Sequence, residues 1–124
     1  MIASNTGGLA ALDQRQGVMK ITTAQFYMML AARADVYRNH KLSAGAKVFF
    51  VLITDCCHDE EEGGNAQGVW RVSFPQLTKR LGVSSGSVAR WIRQLETAGY
   101  ITVDRPGQNP HGKPNGYSIR NIQN

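Results

Sequence analysis

Arg90 and Arg93 stand three residues apart, behind the small polar run SSGS at 84–87. At that spacing two side chains share one side of a helix. A guanidinium can give two parallel hydrogen bonds to O6 and N7 of guanine, or grip a phosphate. Ser84, Ser85, Gly86, Ser87 and Ala89 are small enough to let a helix start come close to a ligand. The free N–H groups of a helix start favour phosphate. Further cations flank the run, with Lys79 and Arg80 before it and Arg105, His111 and Lys113 after it. These twelve residues are the candidate DNA contacts. The competing interpretation is that the arginines are ordinary solvated surface, so the decision rests on the elements that carry them.

The elements favour DNA contact. Ser73 is a good N-cap, and Gln76 stands three residues on, as a capping box requires. Pro75 sits in the first turn, where a missing N–H is tolerated. Phe74, Leu77 and Leu81 share one face. Lys79 and Arg80 lie elsewhere, toward solvent or phosphate. Gly82 suits a left-handed C-cap, and Val83 can plug the gap between two helices. A second helix begins at Ser84 or Ser85 and runs through 84–98. Val88, Trp91, Ile92 and Leu95 gather on one side, and Gly86, Ala89, Arg90, Arg93 and Thr97 on the other. Gly99 ends it. YITVD at 100–104 and YSIRNI at 117–122 read as strands, with Arg120 outward. Between them lies a tip at 106–116 with three prolines and three glycines, carrying His111 and Lys113. The pattern predicts a mainly α fold with a small β-hairpin wing. The wing either touches an adjacent minor groove or backbone or is a plain hairpin loop.

Upstream, LSAGAKVFFVLITDCC at 42–57 opens with Leu42, Ser43 and Lys47 and continues as an apolar helix. VWRVS at 69–73 follows as a short strand. Val88, Ile92 and Leu95, and the closing LETAGYI, complete a pattern that resembles the winged helix of plasmid and phage replication-initiation proteins. The resemblance covers residues 42–122. It implies a winged helix-turn-helix, double-stranded DNA as partner, and recognition of origin repeats, and the fold expected for the chain is that winged helix-turn-helix preceded by an additional N-terminal helix. Transcription regulators of the MarR and GntR classes share the helical signature, so a winged-helix repressor is the close alternative. A winged helix used only for protein contact is a third. Trp91 departs from the pattern, where a small residue is usual, and predicts that the second helix rides further from its neighbours.

Charge supports a polyanionic partner. The 124 residues carry a net charge of +5. Residues 1–62 hold six Lys/Arg against seven Asp/Glu, and residues 63–124 hold eight against two. The cationic half is the one with the paired helices and wing. Hydrophobic content of 42% with 19% charged residues is that of one folded domain. No apolar run approaches the ~20 residues of a membrane span, and no signal-peptide pattern is present, so a cytoplasmic, nucleoid-associated protein is expected. The adjacent Cys56 and Cys57 are expected to be reduced thiols at a helix end.

The remaining chemistry is weak. CCHDEEE at 56–62 has thiols, an imidazole and carboxylates, yet lacks partner ligands at zinc spacing, and is expected to be a solvated acidic loop. A Cys–His nucleophile there lacks an orienting third group. GGNAQG at 63–68 lacks the Lys-Ser/Thr of a phosphate loop. No enzyme, metal or cofactor is expected. The chain divides into an N-terminal extension at 1–22, mobile at 1–8 with a short extended piece at 17–22, and a winged-helix domain at 23–124. The latter opens with a helix at 23–38 that is apolar on more than one side. Phe26, Met29, Leu30 and Tyr37 are expected to form one stripe, with Tyr27, Met28 and Ala31 off it. Such a helix is buried on two sides, either within one chain or against a second copy in a homodimer.

Overall fold

The structure, a computed structural model, describes residues 21–106 and 114–120. Its elements in chain order are α1 (Thr23–Arg38), α2 (Ala44–Cys56), a 3-10 turn (Glu60–Glu62), β1 (Trp70–Arg71), α3 (Phe74–Leu81), α4 (Ser85–Thr97), β2 (Ile101–Asp104) and β3 (Gly116–Ile119). The strands form one antiparallel sheet in the order β1-β3-β2. This is a mainly α-helical winged helix-turn-helix with an extra N-terminal helix. The expected features at 1–8 and most of 17–22 lie outside the described residues, as do His111 and Lys113. Among the described residues the return strand is Gly116–Ile119, with Arg120 in a turn, and 121 and 122 of the expected strand lie outside them.

Local chemistry sets the boundaries. The Ser73 hydroxyl accepts from the Gln76 N–H, and Gln76 Oε1 accepts from the Ser73 N–H at 3.0 Å, so α3 opens on a full capping box. Gly82 closes α3 at φ 68°, a left-handed conformation that costs glycine little. Ser84 is the N-cap of α4 and Ser85 its first residue. A second capping box, Thr22 with Gln25, starts α1. It stands in the sequence as plainly as the first.

The core is built around α2. Ala46, Phe49, Phe50 and Ile53 are fully buried. Phe49 meets Tyr117 of β3 edge-to-face at 5.9 Å, and Phe50 meets Tyr100 in the same way at 5.9 Å. Leu77 of α3, Val88 and Leu95 of α4, and Ile101 and Ile119 of the sheet close around them. Each Val, Leu, Ile or Phe among them contributes about 1.5–3 kcal/mol when fully buried. Trp70 is buried too, and its Nε1 donates to the Glu62 carbonyl at 2.7 Å.

Three expectations are corrected. The first concerns α1, which seats through Met29, Ala32 and Val36, at i, i+3 and i+7. Leu30 and Tyr37 point outward with Tyr27 and Met28, so the expected stripe is split. With apolar residues around most of the helix, side-chain type alone cannot choose the face.

The second concerns Trp91, which does not hold α4 away. A Cβ on Gly45 of α2 would stand 2.2 Å from the indole ring. The ring occupies the space that a side chain on α2 would have filled, and α4 still packs on α2.

The third concerns the start of CCHDEEE, which is core, not a solvated loop. Cys56, Cys57 and His58 are buried, whereas Glu60, Glu61 and Glu62 are exposed. The thiols are free, and desolvation pushes them up, Cys56 to about 11 and Cys57 to about 12. They stay protonated and are poor nucleophiles. His58 Nδ1 lies 3.4 Å from Cys57 Sγ. His58 Nε2 has no hydrogen-bond partner among the described residues. Gly68 makes room for the ring, because a Cβ there would stand 2.7 Å from Nε2.

Burial lowers the His58 pKa from its ordinary 6.5. Below that pH the unfolded chain takes up a proton that the folded chain resists, so stability falls as pH falls. Calorimetry across pH 5–8 should show Tm flat at the alkaline end and declining below about 6.5. A His58→Leu chain should lose that component of the slope. A Tm that rises on acidification would contradict a buried neutral ring.

Candidate nucleic-acid interface

The turn from α3 to α4 presents the start of α4 outward. Ser84, Ser85 and Gly86 are exposed, Ser87 and Ala89 are half-buried, and Arg90 and Arg93 are exposed. The opposite face, Val88, Ile92 and Leu95, is in the core. The serines have distinct tasks. Ser84 Oγ accepts the Ser87 N–H at 3.1 Å and lies 3.2 Å from the Ser87 hydroxyl. Ser87 Oγ in turn accepts from Arg90 Nη2 at 3.4 Å. Capping the helix and steadying the arginine are therefore parts of one small network.

The cations divide into open and tied. Arg90, Arg93 and Lys79 are exposed and form no ion pair with any described residue. Arg80 is paired with Glu62 at 2.6 Å. Arg105 makes two hydrogen bonds to Glu96, both 2.9 Å, which hold the Glu96 carboxyl below the usual carboxylate range. Surface pairs of this kind add little stability, but they fix position. The Arg105–Glu96 fork ties the wing to α4. Arg71 pairs with Asp104 and donates to the Pro114 carbonyl at 3.1 Å, joining β1 to the base of the wing.

Two clefts flank α4. One lies between α4 and the wing and is lined by Ala89, Arg93, Glu96, Arg105 and Asn115. The other is lined by Lys41, Arg90, Arg93, Gln94 and Thr97. Lys41 is a cation the sequence did not single out. It stands in the turn between α1 and α2, where its N–H is held by Asn39 Oδ1 at 2.8 Å. Asn39 Nδ2 donates to the Tyr100 hydroxyl at 3.1 Å, and that hydroxyl donates to Asp35 at 2.8 Å. Ser43 brings the turn to α4, its N–H and hydroxyl meeting Gln94 Oε1 at 3.1 and 2.9 Å. No local signal marks Lys41, because the approach joins residues 51 positions apart.

The space around Gly86 separates fold from binding. A Cβ there would meet only Ser84 Oγ, at 3.8 Å. The fold does not need glycine at this position. Gly86→Ala should raise stability by about 0.4–1 kcal/mol through the unfolded chain. If the helix start lies against DNA, the same methyl should weaken duplex binding. A melting curve beside an anisotropy titration checks both. Binding that is unchanged or tighter would show that the helix start stays clear of the duplex.

Residues 40–101, half of the chain, match the family of the helix-turn-helix domain. The match runs from the turn before α2 to the first residue of β2. No curated protein and no solved structure matches the chain. Among the described residues, no helix is long and apolar enough to cross a membrane, and no group of three or more His, Cys, Asp or Glu could hold a metal ion. With its two packed helices, its hairpin and the cationic outer face of α4, the chain belongs to the helix-turn-helix domain family, and its activity is the DNA binding of that family.

Proposed function

We propose that the protein reads a specific duplex sequence, with α4 in the major groove and the wing against the adjacent backbone or minor groove. The observation that carries this is the pairing of Arg90 and Arg93 on one exposed strip, with no carboxylate among the described residues to neutralise them. A guanidinium free of carboxylate can spend its donors on a base edge or a phosphate. Ser85, Gly86, Ser87 and Ala89 line the approach, with Ser84 as the cap. Lys79 holds a phosphate from α3. Arg80 and Arg105 can serve phosphates only by exchanging Glu62 and Glu96 for them. His111 and Lys113 would supply cations from the wing tip.

In the cell we propose recognition of origin repeats in plasmid or phage replication, within the cytoplasm. The Leu42-Ser43…Lys47 opening supports this by its resemblance to replication initiators. Leu42 is buried, Ser43 caps α2, and Lys47 donates to the Tyr37 carbonyl at 2.8 Å. These residues bind α2 to its neighbours, so their likeness speaks first for a shared scaffold. The close alternative is a winged-helix repressor, and the bound sequence separates the two.

The test is selection from a random duplex library, then binding of variants to the selected and a random duplex. Direct repeats in the selected site support an origin, and a single palindrome supports a repressor. Replacing Arg90 or Arg93 by alanine should cost about 1–3 kcal/mol of discrimination in at least one case. Lys79→Ala should weaken both duplexes alike and flatten the slope of log K against log salt by ~0.9. Equal losses on both duplexes for all three variants would remove base reading from the account.

A further inference from the structure

The outward face of α1 carries a regular apolar seam. Tyr27, Leu30, Ala34 and Tyr37 are spaced 3-4-3, the a/d spacing of a coiled-coil seam. Tyr27 is 59% exposed, Leu30 42% and Tyr37 78%, and Ala34 is half-buried. The seam continues onto α2. Lys47 Nζ lies 5.8 Å from the centre of the Tyr37 ring, and Val48, the next residue, is 60% exposed. On α1 itself the charged residues stand beside the seam, with Arg33 drawn to Asp55 at 3.7 Å, and Lys47, over the Tyr37 ring, already donates to the Tyr37 carbonyl at 2.8 Å. Apposing two α1 faces would bury no charged residue of α1, which keeps the desolvation penalty to the edge where Lys47 lies.

The seam is symmetric about its own midpoint. A 3-4-3 spacing with tyrosine at both ends reads the same in either direction. Laid antiparallel on a second α1, it sets Leu30 of one chain on Ala34 of the other, twice, and Tyr27 against Tyr37. Large opposite small is the complementarity that helix packing needs. A twofold axis makes both halves satisfy each other at once. Tyr27, Leu30 and Tyr37, with Val48 of α2 beside them, leave roughly 500 Å² of largely apolar accessible surface per chain, or about 1,000 Å² for a pair if all of it is covered, the lower edge of a specific interface. The geometry points to a second copy of this chain as the occupant, joined through antiparallel α1 helices by Tyr27, Leu30, Ala34 and Tyr37. Met29 takes no part, since it is buried in the core, and the half-buried Phe26 stands behind the seam with its ring edge-on to Tyr27 at 6.0 Å.

The test uses the full chain without DNA, so it stands or falls apart from base reading. Sedimentation equilibrium at micromolar concentration should give twice the 13.6 kDa of one chain. Leu30→Glu should weaken self-association by roughly tenfold or more at unchanged circular dichroism, with a Tm that equals that of the unaltered chain once both are diluted to monomer. Met28→Glu, exposed on the same helix but off the seam, should leave the dimer intact. Register is checked with a short bismaleimide, to which the buried Cys56 and Cys57 are inert. A mixture of Leu30→Cys and Ala34→Cys chains should cross-link, and either alone should do so far less. A monomer at every concentration overturns the proposal. So does a dimer that survives Leu30→Glu or dissociates with Met28→Glu, and so does cross-linking of Leu30→Cys alone as efficiently as the mixture.

Discussion

The seating of α4 on α2 is the contact on which the rest depends. The Trp91 indole lies where Gly45 has no side chain, and Gln94 accepts two hydrogen bonds from Ser43 at the start of α2. Val88, Ile92 and Leu95 fill the space behind. With that face fixed, helical geometry sends Arg90 and Arg93 to the opposite side without further help. Arginine needs such a platform, because a fork of donors reads a base edge only if its stem is placed by something rigid. A side chain larger than hydrogen at Gly45 would displace the indole and move the whole outer face.

Electrostatics then chooses among the cations. The cationic half of the chain holds only two acidic residues, Glu96 and Asp104, and both are paired with arginine. Glu96 orients the wing through Arg105, and Asp104 secures the first strand through Arg71. A third arginine, Arg80, is held by Glu62 from the turn after α2. Positions that need fixing thus carry paired charge, and the outer strip of α4 keeps its charge unpaired. Counting cations overstates what a duplex would meet, since a tied guanidinium must release a carboxylate before it can take a phosphate.

Much of this was legible in the sequence, and the parts that were not share a cause. The capping box at Ser73, the left-handed Gly82, the α4 faces and the two wing strands follow from local rules, and the structure carries each of them. Cys56 and Cys57 are the reduced thiols at a helix end that their adjacency implied. What failed was long-range. Trp91 finds its room at Gly45, 46 positions away, and no local pattern could offer it. His58 looks solvated beside four acids, but it is buried because Gly68 leaves a hole for its ring. The face of α1 could not be chosen from composition that is apolar on most sides. The ion pairs of Arg80 and Arg105 and the approach of Lys41 are likewise products of tertiary packing.

The central claim is that the outer face of α4 is the surface that meets DNA. A titration of isotope-labelled protein with a short duplex at low salt, followed by NMR, tests it residue by residue. The largest shifts should fall on the amides from Ser84 to Ala89 and on the side-chain signals of Arg90 and Arg93, with weaker ones at Lys79 and Lys41. The amides of Met29, Val36 and the α2 core should hold still. Shifts concentrated on α1, with the α4 signals unmoved, would contradict the account.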